Sequence, residues 1–395
     1  MPSEASSGRS VPAVHISPVL AAQTVYPFVR LEEAKRRRAA TGVRIFDFGM
    51  GDPREPTDER IKRALVEALD EASGYPAAVG LPELRSAIAD WIARRFDVEV
   101  DAERELIPTY GSKEAIFSFA QVVVDEATRK DLVLVPEPAY PVYERGALFG
   151  RAHVETFPLT AESEFLPDLD AIEPAVWERT ALLWINYPNN PTGAVAPREF
   201  YERVSGLAEA HGFLVCSDEA YTELWFDQPP ASALQASDRT RMVVFNTLSK
   251  RSSMTGYRSG FVAANEDVVA ALRKFRPSVG TAPQTFVQRA SIAAWSDEEH
   301  VERNRRLYGR KRALLLELLE RKGLRVAGSR ATMYLWVEVP LGDTSEAFAE
   351  QLLAAGVVVA PGSYFGPAGE GYVRFALVPT EAECAAAVEV LEAVL

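Results

Sequence analysis

The chain has few residues of the two types that most often build metal centres and covalent active sites, cysteine and histidine. Its 395 residues include only Cys216 and Cys384, which are far apart and form no CxxC pair. We therefore expect two reduced, buried thiols. No histidine has metal-ligand spacing or pairs with a plausible serine or cysteine nucleophile, which argues against zinc enzymes and triad hydrolases; no metal is expected. The four histidines are His15, His153, His211 and His300.

Long hydrophobic runs and an excess of positive charge are also missing. No apolar run approaches the roughly 18–20 residues that span a bilayer. The first 25 residues contain Glu4 and only one basic residue, Arg9, so we expect a partly flexible tail and not a signal peptide. The net charge of −13 argues against nucleic acid, because phosphate contacts need clustered lysine and arginine. We therefore expect a cytoplasmic protein with neither a membrane nor a nucleic-acid partner.

What the chain does contain is a series of short apolar runs separated by helical patterns. The runs are hydrophobic throughout and do not alternate, which is typical of strands covered on both faces. This pattern predicts an α/β fold with a mostly parallel central sheet flanked by helices. The predicted strands are 132–135, 181–185, 213–216, 242–245 and 261–263, and the predicted helices here are 198–211 and 266–275.

The two ends of the chain predict a second, smaller α+β unit, since one core rarely serves a chain of this length. We expect a large domain at 49–285, a small C-terminal domain at 286–395, and residues 1–48 as an N-terminal arm and part of the small domain. The predicted helices outside the central region are 26–41, 56–72, 81–96, one from Gly111 to about 124, 297–322, 345–355 and 381–394. The predicted strands there are 45–48, 333–337, 357–359 and 372–375.

Three of the central strands are each followed by polar residues, and open α/β sheets bind ligands at that edge. Asn190, Asp218 and Lys250 follow successive strands. A lysine in a partly desolvated cleft has a depressed pKa and becomes nucleophilic. An aspartate that faces a pyridine nitrogen keeps it protonated. Taken alone, each residue is more often a helix cap or a loop contact, but their convergence on one edge favours a site.

The motifs around these residues are specific in combination. They are Asn189-Asn190-Pro191-Thr192-Gly193, Asp218-Glu219-Ala220-Tyr221 and Ser249-Lys250-Arg251, followed by Gly256, Arg258 and Gly260. With them, the chain resembles the fold-type I, pyridoxal-phosphate-dependent aminotransferases of class I/II, from about Tyr26 to the C-terminus. The resemblance implies the PLP-transferase type I fold, pyridoxal 5'-phosphate as cofactor, and small amino acids and keto acids as substrates.

The resemblance implies a role for each matching residue. Lys250 would form the Schiff base with the cofactor and shuttle the proton. Asp218 would pair with the pyridine nitrogen, and Tyr140 would stack on the ring. Asn190 and Tyr221 would donate to the phenolic oxygen of the cofactor.

The phosphate would be held at a helix N-terminus, where free N–H groups and the helix dipole favour an anion. Tyr75 would reach the phosphate of a neighbouring subunit, which implies a homodimer with a shared active site. The alternative for Tyr75 is an ordinary surface tyrosine in a turn. The residues implied in the phosphate site are Gly111, Ser112, Lys113, Thr247, Ser249, Arg258 and Tyr75.

The resemblance also implies how the substrate is bound and which substrate it is. Arg374 would grip the α-carboxylate, since arginine binds carboxylates with two hydrogen bonds, and Gly51 and Asn190 would lie beside it. The segments 249–261 and 331–336 are similar to the branch that includes N-succinyldiaminopimelate aminotransferase, which acts in lysine biosynthesis with glutamate as the usual donor. Arg251 is either a specificity element or a surface residue. Arg30 is either a contact for a distal carboxylate or a solvated helix residue.

Two enzymatic alternatives stay open. One is a broad aspartate, aromatic or alanine aminotransferase, since the motifs are common to all of these. The other is a PLP-dependent β-lyase on the same fold, which keeps the same lysine, aspartate and arginine. An aminotransferase-like regulator would need a DNA-binding domain, and neither the length nor the acidic charge leaves room for one.

Overall fold

The computed structural model describes residues 16–70, 74–125 and 127–395. His15 and most of the predicted N-terminal tail lie outside these residues. The helices of the described residues are α1 Pro18–Ala21, α2 Pro27–Ala39, α3 Glu59–Glu67, α4 Pro82–Phe96, α5 Ser112–Val123, α6 Val142–Phe149, α7 Pro174–Arg179, α8 Arg198–His211, α9 Leu248–Arg251, α10 Glu266–Val279, α11 Thr285–Trp295, α12 Glu299–Arg321, α13 Ser345–Ala354 and α14 Glu381–Val394. The strands are β1 Phe46–Asp47, β2 Leu106–Thr109, β3 Leu132–Glu137, β4 His153–Pro158, β5 Thr180–Asn186, β6 Leu214–Asp218, β7 Met242–Thr247, β8 Gly260–Ala264, β9 Val326–Gly328, β10 Tyr334–Glu338, β11 Val357–Val358, β12 Ala360–Pro361 and β13 Tyr372–Ala376.

A central sheet with the order β2-β8-β7-β6-β5-β3-β4 carries the large domain. Its strands β3 to β7 are parallel, while β8 runs antiparallel to both β7 and β2. The predicted α/β fold with a mostly parallel sheet is therefore confirmed. Strands β5, β6 and β7 are direct neighbours, so their carboxyl ends lie side by side.

The direction of β8 determines where α9 lies. Because β8 returns antiparallel to β7, the chain between them stays at the carboxyl end of β7. The one-turn helix α9 lies in this connection. Lys250 is thereby held beside the ends of β5 and β6.

The small α+β unit combines both chain ends, as predicted. Strand β1 pairs in parallel with β11, and β10 and β13 form the centre of a four-stranded sheet. Its core also takes side chains from α12 and α14. Helix α14 begins with a capping box, in which Thr380 and Glu383 satisfy each other's backbone N–H groups.

Two edge strands of the large domain, β2 and β4, and four of its helices, α6, α7, α9 and α11, were not predicted. Strand β4 is an edge strand with mostly exposed side chains, so it lacks the apolar run. Strand β2 contains Pro108, which an edge strand tolerates. Helix α11 packs against α3 and α4, and its Trp295 shares the core of the central sheet. The predicted boundary at 285/286 stays a prediction, but these contacts associate α11 with the large domain.

None of the described helices combines the length and the apolar character that crossing a membrane requires. Cys216 and Cys384 are both buried, and neither forms a disulfide.

Candidate active site

One cavity, of about 380 Å³, opens where the carboxyl ends of β5, β6 and β7 meet the N-terminus of α5 and strands β10 and β13. It brings together all the predicted site residues except Gly111 and Tyr75. Those that line it are Gly51, Ser112, Lys113, Tyr140, Asn190, Asp218, Tyr221, Thr247, Ser249, Lys250, Arg258 and Arg374.

Asp218, the last residue of β6, is a buried carboxylate. Its Oδ2 accepts a hydrogen bond from the Tyr143 hydroxyl at 2.7 Å, and its Oδ1 accepts one from the Ala220 N–H at 3.2 Å. Burial raises the pKa of Asp218 to about 6, while these two hydrogen bonds act in the opposite direction. The group is therefore an anion at neutral pH, although it lies in a poorly solvated place.

Lys250 is the amine of the site. Its Nζ donates a hydrogen bond to the backbone oxygen of Gly51. Burial lowers the pKa of Lys250 to about 8; nearby Asp52 opposes this shift, whereas Arg374 and Arg258 add to it. A neutral, nucleophilic form of this lysine is thus accessible near physiological pH.

Hydroxyl and guanidinium groups surround the N-terminus of α5. The Thr247 and Ser249 hydroxyl oxygens lie 2.9 Å apart, and Arg258 Nη1 donates to the Thr255 carbonyl at 2.8 Å. Gly111 precedes α5 with φ 73°, and a Cβ there would lie 2.5 Å from Arg258 Nη2. Glycine is favoured here mainly because this positive φ strains other residues. Gly111 itself does not line the cavity but lies against Arg258, which does.

Arg374 lies on β13, opposite the large sheet, and is buried. Its Nη1 donates to Asn190 Oδ1 at 2.7 Å, and its Nη2 donates to the Gly49 carbonyl at 2.8 Å. The guanidinium carbon is 4.2 Å from the ring centroid of Tyr334 and 4.7 Å from that of Phe365. These contacts hold the guanidinium in one orientation.

Two tyrosines share a hydrogen bond at the base of the cavity. The hydroxyl oxygens of Tyr221 and Tyr334 lie 2.9 Å apart. Tyr334 also explains the glycine at position 51, because a Cβ there would lie 2.1 Å from the Tyr334 hydroxyl oxygen.

Lys113 is a cation without an acidic partner among the described residues. Its Nζ lies 5.5 Å from the ring centroid of Tyr26 and 5.8 Å from that of Tyr140. Burial lowers the pKa of Lys113, and Arg258 and Arg145 lower it further.

Three residues lie elsewhere than in the cavity. Tyr75 is fully exposed. Arg30 is exposed and lies 5.3 Å from the ring centroid of Tyr364. This fits the prediction of a solvated helix residue better than that of a contact for a distal carboxylate. Arg251 fits neither reading: it is only 2% exposed, lies between Trp91 and Trp295, and donates to the Ala294 carbonyl at 2.6 Å.

His300 contacts a serine, but Ser252 is buried and does not line the cavity, so it is no plausible nucleophile. Its Nε2 lies 2.8 Å from Ser252 Oγ, and its Nδ1 lies 2.5 Å from Asp297 Oδ2. Ser252 and His300 are 48 positions apart in the sequence, so no local spacing signals the contact. Among the described residues, no cluster of histidine, cysteine and carboxylate side chains is suited to a metal ion.

Sequence reasoning also missed several residues that line the cavity: Tyr26, Phe28, Asp52, Tyr143, Asn186, Tyr334 and Phe365. Tyr143 had a usable signal, since it follows the predicted Tyr140 by three positions. Tyr26 and Phe28 come from the N-terminal segment, and no pattern links them to the strands that carry the site.

The model of the family "Aminotransferase class I and II" matches residues 43–391. The chain belongs to this family. It is 42% identical over 363 residues to the LL-diaminopimelate aminotransferase of Aquifex aeolicus, covering 90% of this chain and 93% of that protein. A solved probable N-succinyldiaminopimelate aminotransferase of Thermus thermophilus superposes with a TM-score of 0.86 at 33% identity, over 93% and 100% of the two chains. A single mutant of Thermus thermophilus aspartate aminotransferase gives a TM-score of 0.90 at 31% identity, over 97% and 100%.

Class I and II aminotransferases use pyridoxal phosphate, and the cavity fits this group. It offers a buried amine on Lys250, a buried carboxylate on Asp218, and hydroxyl and guanidinium donors at the N-terminus of α5. The glycine at position 111, where a side chain would collide with Arg258, leaves the backbone open to a phosphate. The protein is a pyridoxal-phosphate-dependent aminotransferase, as the motifs predicted.

Proposed function

We propose that this aminotransferase exchanges amino groups between glutamate and a substrate with the LL-diaminopimelate skeleton. The observation that carries the proposal is that the cavity holds Lys113 in addition to Arg374 and to the cations that we assign to the cofactor. Arg374 is oriented to bind one carboxylate, and Lys113 supplies an ammonium that no acid of the described residues neutralises. A substrate with a carboxylate at each end uses both cations.

The bound cofactor supplies a conjugated ring that withdraws electrons from the substrate α-carbon. Lys250 would hold the cofactor through its amine and would move the proton at the α-carbon of the substrate. Asp218 keeps the proton on the pyridine nitrogen, and the face of Tyr140 supports the ring. The buried carboxylate and the amine with a lowered pKa support these two roles.

The hydrogen bonds leave two donors available for the phenolic oxygen of the cofactor. Asn190 accepts from Arg374 through Oδ1, so its Nδ2 stays available as a donor. When Tyr334 donates to Tyr221, the Tyr221 hydroxyl hydrogen is likewise available. Hydrogen bonds of this kind favour the ionised oxygen of the cofactor.

The phosphate is assigned to the backbone N–H groups at the start of α5 together with Ser112, Thr247, Ser249 and Arg258. The backbone of Lys113 belongs to the same helix turn. Its ammonium, which lies over Tyr26 and Tyr140, is assigned to the distal carboxylate of the substrate. This divides the role that the motif implied for Lys113 between its backbone and its side chain.

Two forms of the substrate are candidates. The relative from Aquifex aeolicus, 42% identical, is named for LL-diaminopimelate, and the Thermus thermophilus structure at 33% identity is named for the N-succinyl form. Free LL-diaminopimelate carries an ammonium and a carboxylate at its distal end, and Asp52 and Lys113 both line the cavity. The N-succinyl form replaces that ammonium with an amide and adds a carboxylate. The lining charges therefore favour the free diamine, while the sequence motifs had favoured the succinylated one.

The test is a set of single half-reactions on the cofactor-loaded protein. Glutamate, LL-diaminopimelate, N-succinyl-LL-diaminopimelate and aspartate are each added alone, and the visible band of the lysine-bound cofactor is followed. We expect glutamate and LL-diaminopimelate to discharge the band. Discharge by the succinylated compound alone would transfer the assignment to it, and discharge by aspartate and glutamate alone would indicate a general aminotransferase. Pyruvate and ammonia, formed without an acceptor from a substrate with a β leaving group, would identify a β-lyase.

We also infer a cytoplasmic homodimer with a shared active site. Tyr75 is fully exposed, as it must be to reach a neighbouring subunit, and apolar side chains such as Leu20, Val25 and Leu69 are more than half exposed. Analytical ultracentrifugation tests the dimer, and a monomer at micromolar concentration would refute it. Tyr75→Ala is expected to weaken cofactor retention if the site is shared.

A further inference from the structure

A series of hydrogen-bonded polar side chains leads from the half-buried Asp297, just before α12, to the residue that ends the lysine-bearing helix α9. Asp297 Oδ2 lies 2.5 Å from His300 Nδ1, and His300 Nε2 lies 2.8 Å from Ser252 Oγ. Ser252 is the C-cap of α9, two positions after Lys250. Ser252 and His300 are 1% and 2% exposed. These hydrogen bonds therefore connect the end of α9 to the start of α12.

The hydrogen bonds have one consistent direction. Burial lowers the pKa of His300, and its hydrogen bond with Asp297 acts in the opposite direction. A neutral imidazole that donates from Nδ1 to Asp297 accepts through Nε2, so the Ser252 hydroxyl donates to it. Ser252 Oγ in turn accepts from Arg251 Nη1 at 3.3 Å. Each of these side-chain atoms has a partner, so the arrangement is specific.

The order serine, histidine, aspartate is that of a hydrolase triad, but these groups cannot act on a substrate. Ser252 does not line the cavity, and it is buried next to Arg251, whose guanidinium carbon lies 5.0 Å from the Trp295 ring centroid. A nucleophile must contact its substrate, and Ser252 cannot do so. This series of hydrogen bonds therefore has a structural role, connecting α9 to the start of α12.

The helix that carries Lys250 needs such a connection. It has only four residues, and a single helical turn is not stable by itself. At its start, Ser249 N–H donates to Thr247 Oγ1 at 3.2 Å, within the phosphate site. At its end, Asn304 Nδ2 donates to the Arg251 carbonyl at 3.3 Å, and His300 holds Ser252.

We propose that His300, oriented by Asp297, is a positioning residue that fixes the location of Lys250 through the Ser252 hydroxyl. The inference rests on the proposed role of Lys250 as the amine that binds the cofactor. The length and direction of α9 set where the lysine side chain starts, and small errors in the placement of a reacting group are costly.

The test uses variants that break the connection at different bonds. Ser252→Ala removes one oxygen atom, and His300→Asn preserves a donor for Asp297 but no longer reaches Ser252. His300→Gln preserves an acceptor at the distance of Nε2 and serves as the conservative rescue. Ser205→Ala is the matched control, because this buried serine on α8 donates its hydroxyl to the Asp238 carbonyl, far in sequence from α9.

We expect Ser252→Ala and His300→Asn to lower kcat on the order of 10-fold with KM nearly unchanged. We also expect them to shift the pH midpoint of the visible band of the lysine-bound cofactor. His300→Gln recovers most of both properties, and Ser205→Ala changes neither.

The melting temperature separates positioning from simple stabilisation. If Ser252→Ala lowers the melting temperature but leaves kcat and the spectral midpoint at the wild-type values, the proposal is wrong. If His300→Asn does not fold, Ser252→Ala alone decides by the same criteria. A wild-type protein without the visible band, or a Lys250→Ala variant that retains it, would instead refute the proposed role of Lys250.

Discussion

Replacing Asp218 with asparagine should make the cofactor-free protein more stable while it damages catalysis. Burial raises the pKa of Asp218 from 3.8 to about 6. An acid with a raised pKa in the folded state contributes most to stability below its unfolded value, and this contribution is lost as the pH rises through the folded value. At about 1.36 kcal/mol for each pKa unit, the ionised carboxylate costs about 3 kcal/mol at pH 7 and above.

The asparagine side chain removes this charge but does not reproduce every hydrogen bond. Its single oxygen can accept from the Tyr143 hydroxyl, and the contact with the Ala220 N–H is then lost, at a cost of about 1 kcal/mol. We therefore expect cofactor-free Asp218→Asn to be about 2 kcal/mol more stable than the wild type at pH 7.5. Near pH 4 the advantage should disappear, because the wild-type carboxyl group is then protonated in the folded protein.

Urea unfolding of both cofactor-free proteins at pH 4.5, 6 and 7.5 measures this difference. Asp227→Asn is the matched control, since Asp227 is an exposed aspartate. In the loaded enzyme the same Asp218→Asn change should lower kcat on the order of 100-fold, because the charge opposite the ring nitrogen is gone. A variant that is no more stable at pH 7.5, or whose advantage does not grow with pH, would refute the reasoning.

Three further substitutions test the other side chains of the site. Lys250→Ala should abolish both turnover and the visible band while the circular dichroism spectrum stays that of the wild type; normal activity would exclude Lys250 as the reacting amine. Tyr143→Phe removes a hydrogen bond that lowers the pKa of Asp218, so the acidic limb of the kcat profile should move up by about one pH unit; an unchanged limb would show that Tyr143 does not tune this carboxylate. Lys113→Met should raise KM for LL-diaminopimelate about 10- to 100-fold but hardly change KM for alanine, whereas Lys113→Arg should preserve most of the difference; an equal effect on both substrates would remove the ammonium from the distal site.

The central sheet and most of the residues that line the cavity could be predicted because their signals are local. Strands β5, β6 and β7 are covered on both faces, so each appears as a continuous apolar run with a polar residue at its end. Asp218 and Lys250 each lie within a short motif, and the parallel arrangement brings those motifs to one edge of the sheet. Edge strand β4 lacks such a run because most of its side chains are exposed.

The residues that escaped prediction act through contacts between distant segments. His300 is 48 positions from Ser252, and both positions look ordinary in the sequence. Arg251 was expected either in the site or on the surface, but the aromatic rings of Trp91 and Trp295 enclose its guanidinium. Such packing depends on the tertiary fold and has no periodic signature.

The contacts that we assign to substrate preference also come from residues that are far apart in the sequence. Arg374 is aligned by Gly49 and Asn190, which lie 325 and 184 positions away. Its guanidinium is also covered by Phe28 from the N-terminal segment, 5.5 Å from the ring centroid, and Lys113 lies over Tyr26 from the same segment. Residues at the start of α2 therefore contact both cations that we assign to the substrate carboxylates. This segment carries none of the cofactor motifs, so the cofactor motifs alone do not determine which acid the cavity accepts.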